Sequence, residues 1–154
     1  MRFYDWRKVA TMVNGVPITN WAPGDDCFKA ERLKEIAQYE VGADGLMTLS
    51  LDPDKSGKVT IKLAQTSPLN ALLSDLCASE DHIDTFIPVV ISQLDTYRQD
   101  GTTTHPGFLQ KHADTTRGAK ANVVEWVFIF SELHLDLGNP TFVGVPTAIA
   151  EALR

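Results

Sequence analysis

The sequence lacks the features that mark secreted and membrane proteins. Its 154 residues include two cysteines, Cys27 and Cys77, which excludes a disulfide scaffold and predicts a reduced chain, with one Cys27–Cys77 bridge as the alternative. No apolar run approaches the roughly 18 residues that span a bilayer, so we expect no membrane insertion by this chain. The N-terminal MRFYDWRKVATMV is too charged for a signal peptide, which predicts a protein made in a cytoplasm and kept or assembled there.

Clustered positive charge is missing as well. The chain has 14 Lys and Arg against 20 Asp and Glu, a net charge of −6, and no basic run. A nucleic-acid reader needs clustered cations to displace counterions from phosphate, so that class is excluded, whereas a surface that DNA must not adhere to suits this balance. There is no internal repeat and no low-complexity segment, and the length predicts one domain over residues 1–154.

No catalytic motif is present. The chain has neither a Gly-x-Ser-x-Gly elbow nor a phosphate-cradling glycine loop. The acidic pairs Asp25-Asp26 and Glu80-Asp81 are adjacent in sequence, which is typical of solvated turn charges rather than of an acid/base pair. The sequence therefore predicts a protein that is not an enzyme and has no cofactor.

One segment imitates a metal site. DPDKSG at residues 52–57 supplies the first oxygen ligands and the glycine of a calcium-binding loop. The loop's twelfth position is Leu63, which offers no oxygen, and the flanking residues alternate like a strand instead of a helix. We therefore interpret the segment as a turn between strands.

The histidines do not have metal-ligand spacing either. His105 and His112 are seven residues apart in a predicted loop, without a cysteine or carboxylate at zinc-ligand spacing. His134 lies on the polar face of a predicted strand. No metal site is expected.

Strand patterns dominate the chain. Asn14-Gly15 between two β-rich runs, 8–13 and 16–21, predicts a hairpin. Residues 58–63 alternate with Val59, Ile61 and Leu63 inward. Further strands are predicted at 46–51, 86–94 and 122–137, and residues 98–121 are predicted to be a long loop with at most one short strand. The aromatic residues suit either a binding groove or a buried core, and we favour the core for Phe28, Trp126, Phe128 and Phe130.

Two segments have helical character. Ser67-Pro68 is a helix start, and an apolar stripe of Leu69, Leu72, Leu73 and Leu76 predicts a helix over about residues 68–79. The composition of residues 28–40, FKAERLKEIAQYE, also favours a short helix. Together the elements predict a β-sandwich or barrel with one packed helix.

Four ordered segments carry a family resemblance: NGVPI at 14–18, VGADG at 41–45, DKSGKVTI at 54–61 and LAQTSPLN at 63–70. From about Tyr4 to about Gly138 the chain resembles the tail tube proteins of contractile-tailed bacteriophages. The resemblance implies a mainly β tube protomer with one flanking α-helix, similar in fold to secretion-system needle tube proteins. Its core would span about residues 4–138, followed by a C-terminal tail at 139–154.

The resemblance also implies a function. Such subunits are structural virion proteins that form stacked hexameric rings, and the rings make the inner tail tube through which DNA is ejected into the host. The implied partners are other copies of the chain, a contractile sheath protein, the baseplate or an initiator, and the tape measure protein. The implied location is the virion tail, after assembly in the host cytoplasm.

Specific residues follow from the resemblance. It replaces the helix at 28–40 by a strand that leads into a long stacking loop near 41–51. The implied contacts to the next ring are Val41, Asp44, Leu46, Met47 and Leu49. Strand alternation nominates Glu132 and Asp136 as lumen-facing acids.

Other readings remain open. A tube subunit of a contractile injection or type VI-like system, or a tail terminator, would share the fold. From another class, a small β-sandwich enzyme or ligand-binding module would use His105, His112 or Cys77 at its site.

Overall fold

The structure is a computed structural model that describes residues 4–83, 88–96 and 100–137, with the backbone alone for 79–83. A 3-10 helix at Trp6–Lys8 precedes the first strand, and the one α-helix of the described residues, α1, spans Leu69–Ile83. The strands are β1 (Val9–Val13), β2 (Val16–Pro17), β3 (Phe28–Arg32), β4 (Ala37–Val41), β5 (Met47–Leu51), β6 (Gly57–Ala64), β7 (Ile91–Asp95), β8 (Gly101–Thr104), β9 (Gly107–Leu109), β10 (Val123–Phe130) and β11 (Leu133–Asp136).

The strands form two main antiparallel sheets and a separate pair. Sheet A has the order β11-β8-β7-β1-β2, and sheet B has the order β3-β6-β10-β9. Strands β4 and β5 pair only with each other within the described part of the chain. The mainly β fold with one helix is therefore confirmed.

The core lies between the two sheets, where alternate residues of each strand point inward. Val59, Ile61 and Leu63 on β6 are fully buried, as their alternation predicts. Val13 of β1 and Ile91 of β7 join the same core from sheet A. The predicted aromatic core is also confirmed, because Trp126, Phe128 and Phe130 are buried and Phe28 packs against the cluster.

Helix α1 packs its apolar stripe on this core. Leu69 and Leu73 are buried, whereas Leu72 is 37% exposed. The helix ends at Ile83, beyond the predicted end near residue 79. The apolar stripe from which the helix was predicted stops earlier, at Leu76. A buried polar contact ties it to sheet B: the indole N–H of Trp126 donates to Asn70 Oδ1 at 3.0 Å.

Two local turn predictions are confirmed. Asn14 and Gly15 have φ values of 50° and 82°, the left-handed geometry that an Asn-Gly hairpin turn requires. In DPDKSG, the side chains of Asp52 and Asp54 each accept a backbone N–H two residues later, at 2.9 Å. These bonds shape the connection between β5 and β6, as expected for turn chemistry.

Three predictions are corrected. The helix that composition favours at 28–40 is wrong, because β3 pairs with β6 and β4 pairs with β5 over this stretch, as the family resemblance implies. Residues 122–137 are not one strand: the chain turns at Ser131–Glu132 and passes from β10 in sheet B to β11 in sheet A. The predicted loop at 98–121 contains two strands, β8 and β9.

Two further predictions fall partly or wholly outside the described residues. The strand predicted at 86–94 is observed from Ile91 to Asp95, and residues 84–87 are not described. The predicted tail at 139–154 lies outside the described residues.

Candidate assembly surface

The β4–β5 hairpin stands apart from the two sheets. At its base the ladder of β3 and β6 continues through a bond from the Leu33 N–H to the Ser56 carbonyl at 3.2 Å. The next bond joins the Asp52 N–H to the Ile36 carbonyl at 3.1 Å, where the hairpin begins. Each strand has five residues, so the hairpin extends the ladder by about 16 Å at about 3.3 Å per residue. The hairpin is thus an outgrowth of sheet B without a covering layer in the described chain.

The register gives the hairpin one apolar and one polar face. Residues opposite each other in an antiparallel pair share a face, and the two strands pair Ala37 with Leu51 and Tyr39 with Leu49. The intervening pairs join Gln38 with Ser50 and Glu40 with Thr48. The apolar face comprises Ala37, Tyr39, Val41, Met47, Leu49 and Leu51, and the polar face comprises Gln38, Glu40, Thr48 and Ser50.

The apolar face is open to solvent in the single chain. Five of its side chains are between 56% and 77% exposed: Tyr39, Val41, Met47, Leu49 and Leu51. Ile36 before β4 and Leu46 before β5 are exposed to 83% and 70%. A contiguous exposed apolar patch of this kind marks an interaction surface, and an isolated two-stranded hairpin is marginally stable in water. The apolar face is therefore a candidate interaction surface.

The tip of the hairpin is a tight turn. The N–H of Gly45 donates to the Gly42 carbonyl at 2.9 Å, and the N–H of Gly42 donates to the Leu46 carbonyl at 2.8 Å. Asp44 Oδ1 accepts the Leu46 N–H at 3.2 Å. Gly45 has a φ of 84°, which other residues adopt at a penalty. Asp44 and Gly45 of the VGADG segment thus each have a structural reason.

The predicted contact residues are brought together here. Val41, Met47 and Leu49 lie on the apolar face, while Asp44 and Leu46 lie at the tip. Sequence analysis missed Tyr39 and Leu51. The period-two spacing of Ala37, Tyr39 and Val41 is the signal that identifies the β4 half of the face, but helix-forming neighbours mask it.

The two nominated acids lie at opposite ends of the β11 segment. Asp136 is on β11, two residues after His134, so both share the outer face. Glu132 precedes β11 in the corner between the sheets and contacts two histidines: its Oε1 is 3.0 Å from His134 Nε2 and its Oε2 is 3.6 Å from His105 Nε2.

The other predicted histidine is elsewhere. His112 Nε2 is 3.0 Å from Ser74 Oγ, and its ring lies beside Trp126. His105 and His112, which sequence analysis treated as a possible pair of metal ligands, therefore lie in different parts of the structure.

The sheets differ in the charge of their strands. The strands of sheet A carry Asp95 and Asp136 and no Lys or Arg, a sum of −2, and of the two acids Asp95 is buried while Asp136 is on the outer face. The strands of sheet B carry four cations and two acids, a sum of 4 − 2 = +2: Lys29, Arg32, Lys58 and Lys62 against Glu31 and Glu125.

Ion pairs organise the charged side of sheet B. Lys62 Nζ donates to Asp26 Oδ2 at 2.8 Å, and this hydrogen bond lowers the pKa of Asp26 and raises the pKa of Lys62. Lys58 and Lys29 approach Glu31 at 3.8 and 4.0 Å. Such exposed pairs contribute little to stability, but they hold the lysines on this face.

Neither Cys27 nor Cys77 forms a disulfide in the structure. Cys27 is buried, and this burial raises the pKa of its thiol, which disfavours the reactive thiolate. None of the helices that the structure describes has the length and apolarity that crossing a bilayer requires.

Comparison with known proteins gives one family. No curated protein matches the chain. Residues 12–138, well over half of the 154 residues, match the family described as bacteriophage PhiTE tail tube protein. The match covers both sheets, the helix and the hairpin, and the family is structural rather than enzymatic. The chain therefore belongs to the bacteriophage PhiTE tail tube protein family and is a structural component of the virion tail.

Proposed function

We propose that the protein is the inner tube subunit of a contractile tail, forming hexameric rings that stack and leave a channel for DNA ejection. A contractile sheath would surround the tube, a baseplate or initiator would start it, and a tape measure protein would occupy the channel. Assembly would take place in the host cytoplasm. The observation that carries this proposal is the open apolar face of the β4–β5 hairpin, on a chain that belongs to a tail tube family.

The hairpin is proposed to be the joint between rings. Its apolar face, with Tyr39 and Leu49 as the central cross-strand pair, would be covered by the adjacent ring. The tip residues Asp44 and Leu46 would reach farthest from the subunit that supplies them. This assignment accounts for five exposed apolar side chains that a solvated hairpin would not retain.

The outer face of sheet A is proposed to face the channel, with Glu132 and Asp136 among its acids. Phosphate is repelled by acidic walls and retained by clustered cations. Sheet A has no Lys or Arg on its strands, whereas sheet B has four, which supports this orientation.

The replacement Asp136→Lys is then expected to slow DNA passage in assembled phage while leaving tube length unchanged. Normal ejection by Asp136→Lys together with faster ejection by Lys58→Glu would assign the channel to sheet B instead.

The stacking proposal is tested by excising the hairpin. The Asp52 N–H bonds the Ile36 carbonyl, so replacing Ala37–Leu51 by Asn-Gly closes the ladder with a two-residue turn. Because no core residue is removed, we expect a folded subunit that does not form tubes in negative-stain electron microscopy across a concentration series. Tubes of normal length from the excised protein would refute the assignment.

A further inference from the structure

We infer that His105, Glu132 and His134 form a binding site for a transition-metal cation of the Zn²⁺ class, which the sequence did not predict. One ligand atom from each residue lies within 4.8 Å of the other two. The N and O ligands of a tetrahedral zinc ion are about 3.4 Å apart, given metal–ligand distances of about 2.1 Å. The two histidine–glutamate distances, 3.0 Å from His134 to Oε1 and 3.6 Å from His105 to Oε2, are close to that spacing, each to a different oxygen of the carboxylate.

Backbone pairing places the three side chains on one face. Strand β11 pairs with β8, with His134 opposite Thr103. The ladder continues one step further, because the His105 N–H donates to the Glu132 carbonyl at 2.9 Å. His105 and Glu132 are therefore a cross-strand pair, and His134 lies two residues from Glu132 on the same face. Between them, Leu133 is fully buried and anchors the strand.

The ligand chemistry selects the cation. Two imidazoles and one carboxylate suit Zn²⁺ and its neighbours, whereas Ca²⁺ and Mg²⁺ prefer oxygen ligands alone. The side chains are 56%, 34% and 47% exposed for His105, Glu132 and His134, so a hydrated cation has free access. Three protein ligands leave at least one position for water.

The place of the cluster in the fold gives the metal a structural role. His105 follows β8 of sheet A, just before the chain enters β9 of sheet B. Glu132 follows β10 of sheet B, just before the chain enters β11 of sheet A. One cation bound to these residues would link the two adjacent corners at which the chain crosses between the sheets. This role is separate from the proposed stacking by the hairpin. With the ion bound, the charge of Glu132 is neutralised, and Asp136 alone would supply the proposed repulsion of phosphate on this face.

The test uses full-length protein freed of metal by a chelator and titrated with ZnCl₂ in a calorimeter at neutral pH. We expect saturable binding of one ion per chain and a rise in Tm with added Zn²⁺. Loss of a supporting residue alone weakens metal binding by about 10–100-fold, so His105→Asn, His134→Asn and Glu132→Gln should each weaken it by at least about tenfold. The matched control is His112→Asn, since His112 lies outside the cluster.

Two further readouts keep the test decisive if a variant misfolds. Co²⁺ in place of Zn²⁺ should give the intense visible absorption of a tetrahedral site in the wild type, and circular dichroism checks each variant's fold. Absence of saturable Zn²⁺ binding by the wild type would overturn the inference. So would an equal loss of affinity in His112→Asn, which would assign the ion to another part of the chain.

Discussion

Replacing Leu49 by serine is the sharpest single-residue test of the hairpin's role. Leu49 lies in the middle of the apolar face, opposite Tyr39, and is 62% exposed in the single chain. Full burial of a leucine side chain is worth about 1.5–3 kcal/mol, so covering the exposed part of Leu49 contributes about 1–2 kcal/mol per subunit contact. Because about 1.4 kcal/mol corresponds to a tenfold change in a dissociation constant, Leu49→Ser should raise the dissociation constant of each subunit contact by about 5–25-fold.

The assay is the critical concentration for tube formation, measured by sedimentation and checked by negative-stain electron microscopy. In a ring, every subunit loses the same contact at each joint, so the critical concentration should rise by at least the factor for one contact. The subunit itself should keep its Tm within the error of the measurement, since Leu49 is outside the core.

A matched control is Leu94→Ser. Leu94 is a leucine of comparable exposure, 49%, on the outer face of sheet A. Leu94→Ser removes the same side-chain atoms as Leu49→Ser, but Leu94 lies away from the β4–β5 hairpin. The critical concentration for tube formation by this variant should therefore stay near the wild-type value. If Leu49→Ser assembles like the wild type, or Leu94→Ser fails equally, the hairpin is not the specific joint between rings.

Three other predictions concern the subunit. Asn70→Ala should lower the free energy of unfolding by about 1–3 kcal/mol in urea denaturation, because it leaves the buried indole N–H of Trp126 without its acceptor; an unchanged midpoint would contradict this. The hydrogen bond to Lys62 holds the pKa of Asp26 below its ordinary 3.8. The ionised Asp26 therefore stabilises the fold above pH 3.8, and this stabilisation is lost as the pH falls through the lowered pKa. Asp26→Asn should accordingly make Tm fall less steeply with pH in this acidic range. Cys27 should react with iodoacetamide at neutral pH only after unfolding, and rapid labelling of the native protein, with the other cysteine replaced, would refute its burial.

The parts of the fold that sequence predicts well are those in which the local pattern and the tertiary environment agree. Residues 58–63 alternate strictly, and the inward set is the buried set. Asn14-Gly15 is a hairpin turn because few other pairs tolerate two consecutive left-handed residues. In both cases, the information that decides the structure lies within a few adjacent residues.

The stretch from residue 28 to 40 shows where local information is insufficient. Its Ala, Glu, Lys and Leu favour a helix by propensity, but β3 is held as a strand by its ladder with β6, about thirty residues away along the chain. Only the family resemblance gave the correct assignment. Tyr39, in the β4 half of the assembly surface, was missed for the same reason.

The histidine cluster was beyond sequence analysis for a different reason. Residues 122–137 have a nearly continuous strand pattern, which conceals the corner at Ser131–Glu132. Without that corner, nothing in the sequence places Glu132 beside His105, which lies on a segment predicted to be a loop. Spacing rules detect ligands within one element and miss those that two crossovers bring together.

The absence of a covering layer on the β4–β5 hairpin has a consequence for when assembly begins. A lone two-stranded hairpin is formed for only part of the time in water, and the apparent affinity of a subunit for its neighbour falls by that fraction. If the hairpin is the joint between rings, this lower affinity raises the concentration at which free subunits associate, whereas a growing end would capture each hairpin as it forms. Substitutions that strengthen the turn or the polar face, with the apolar face intact, should therefore shorten the lag before tubes appear.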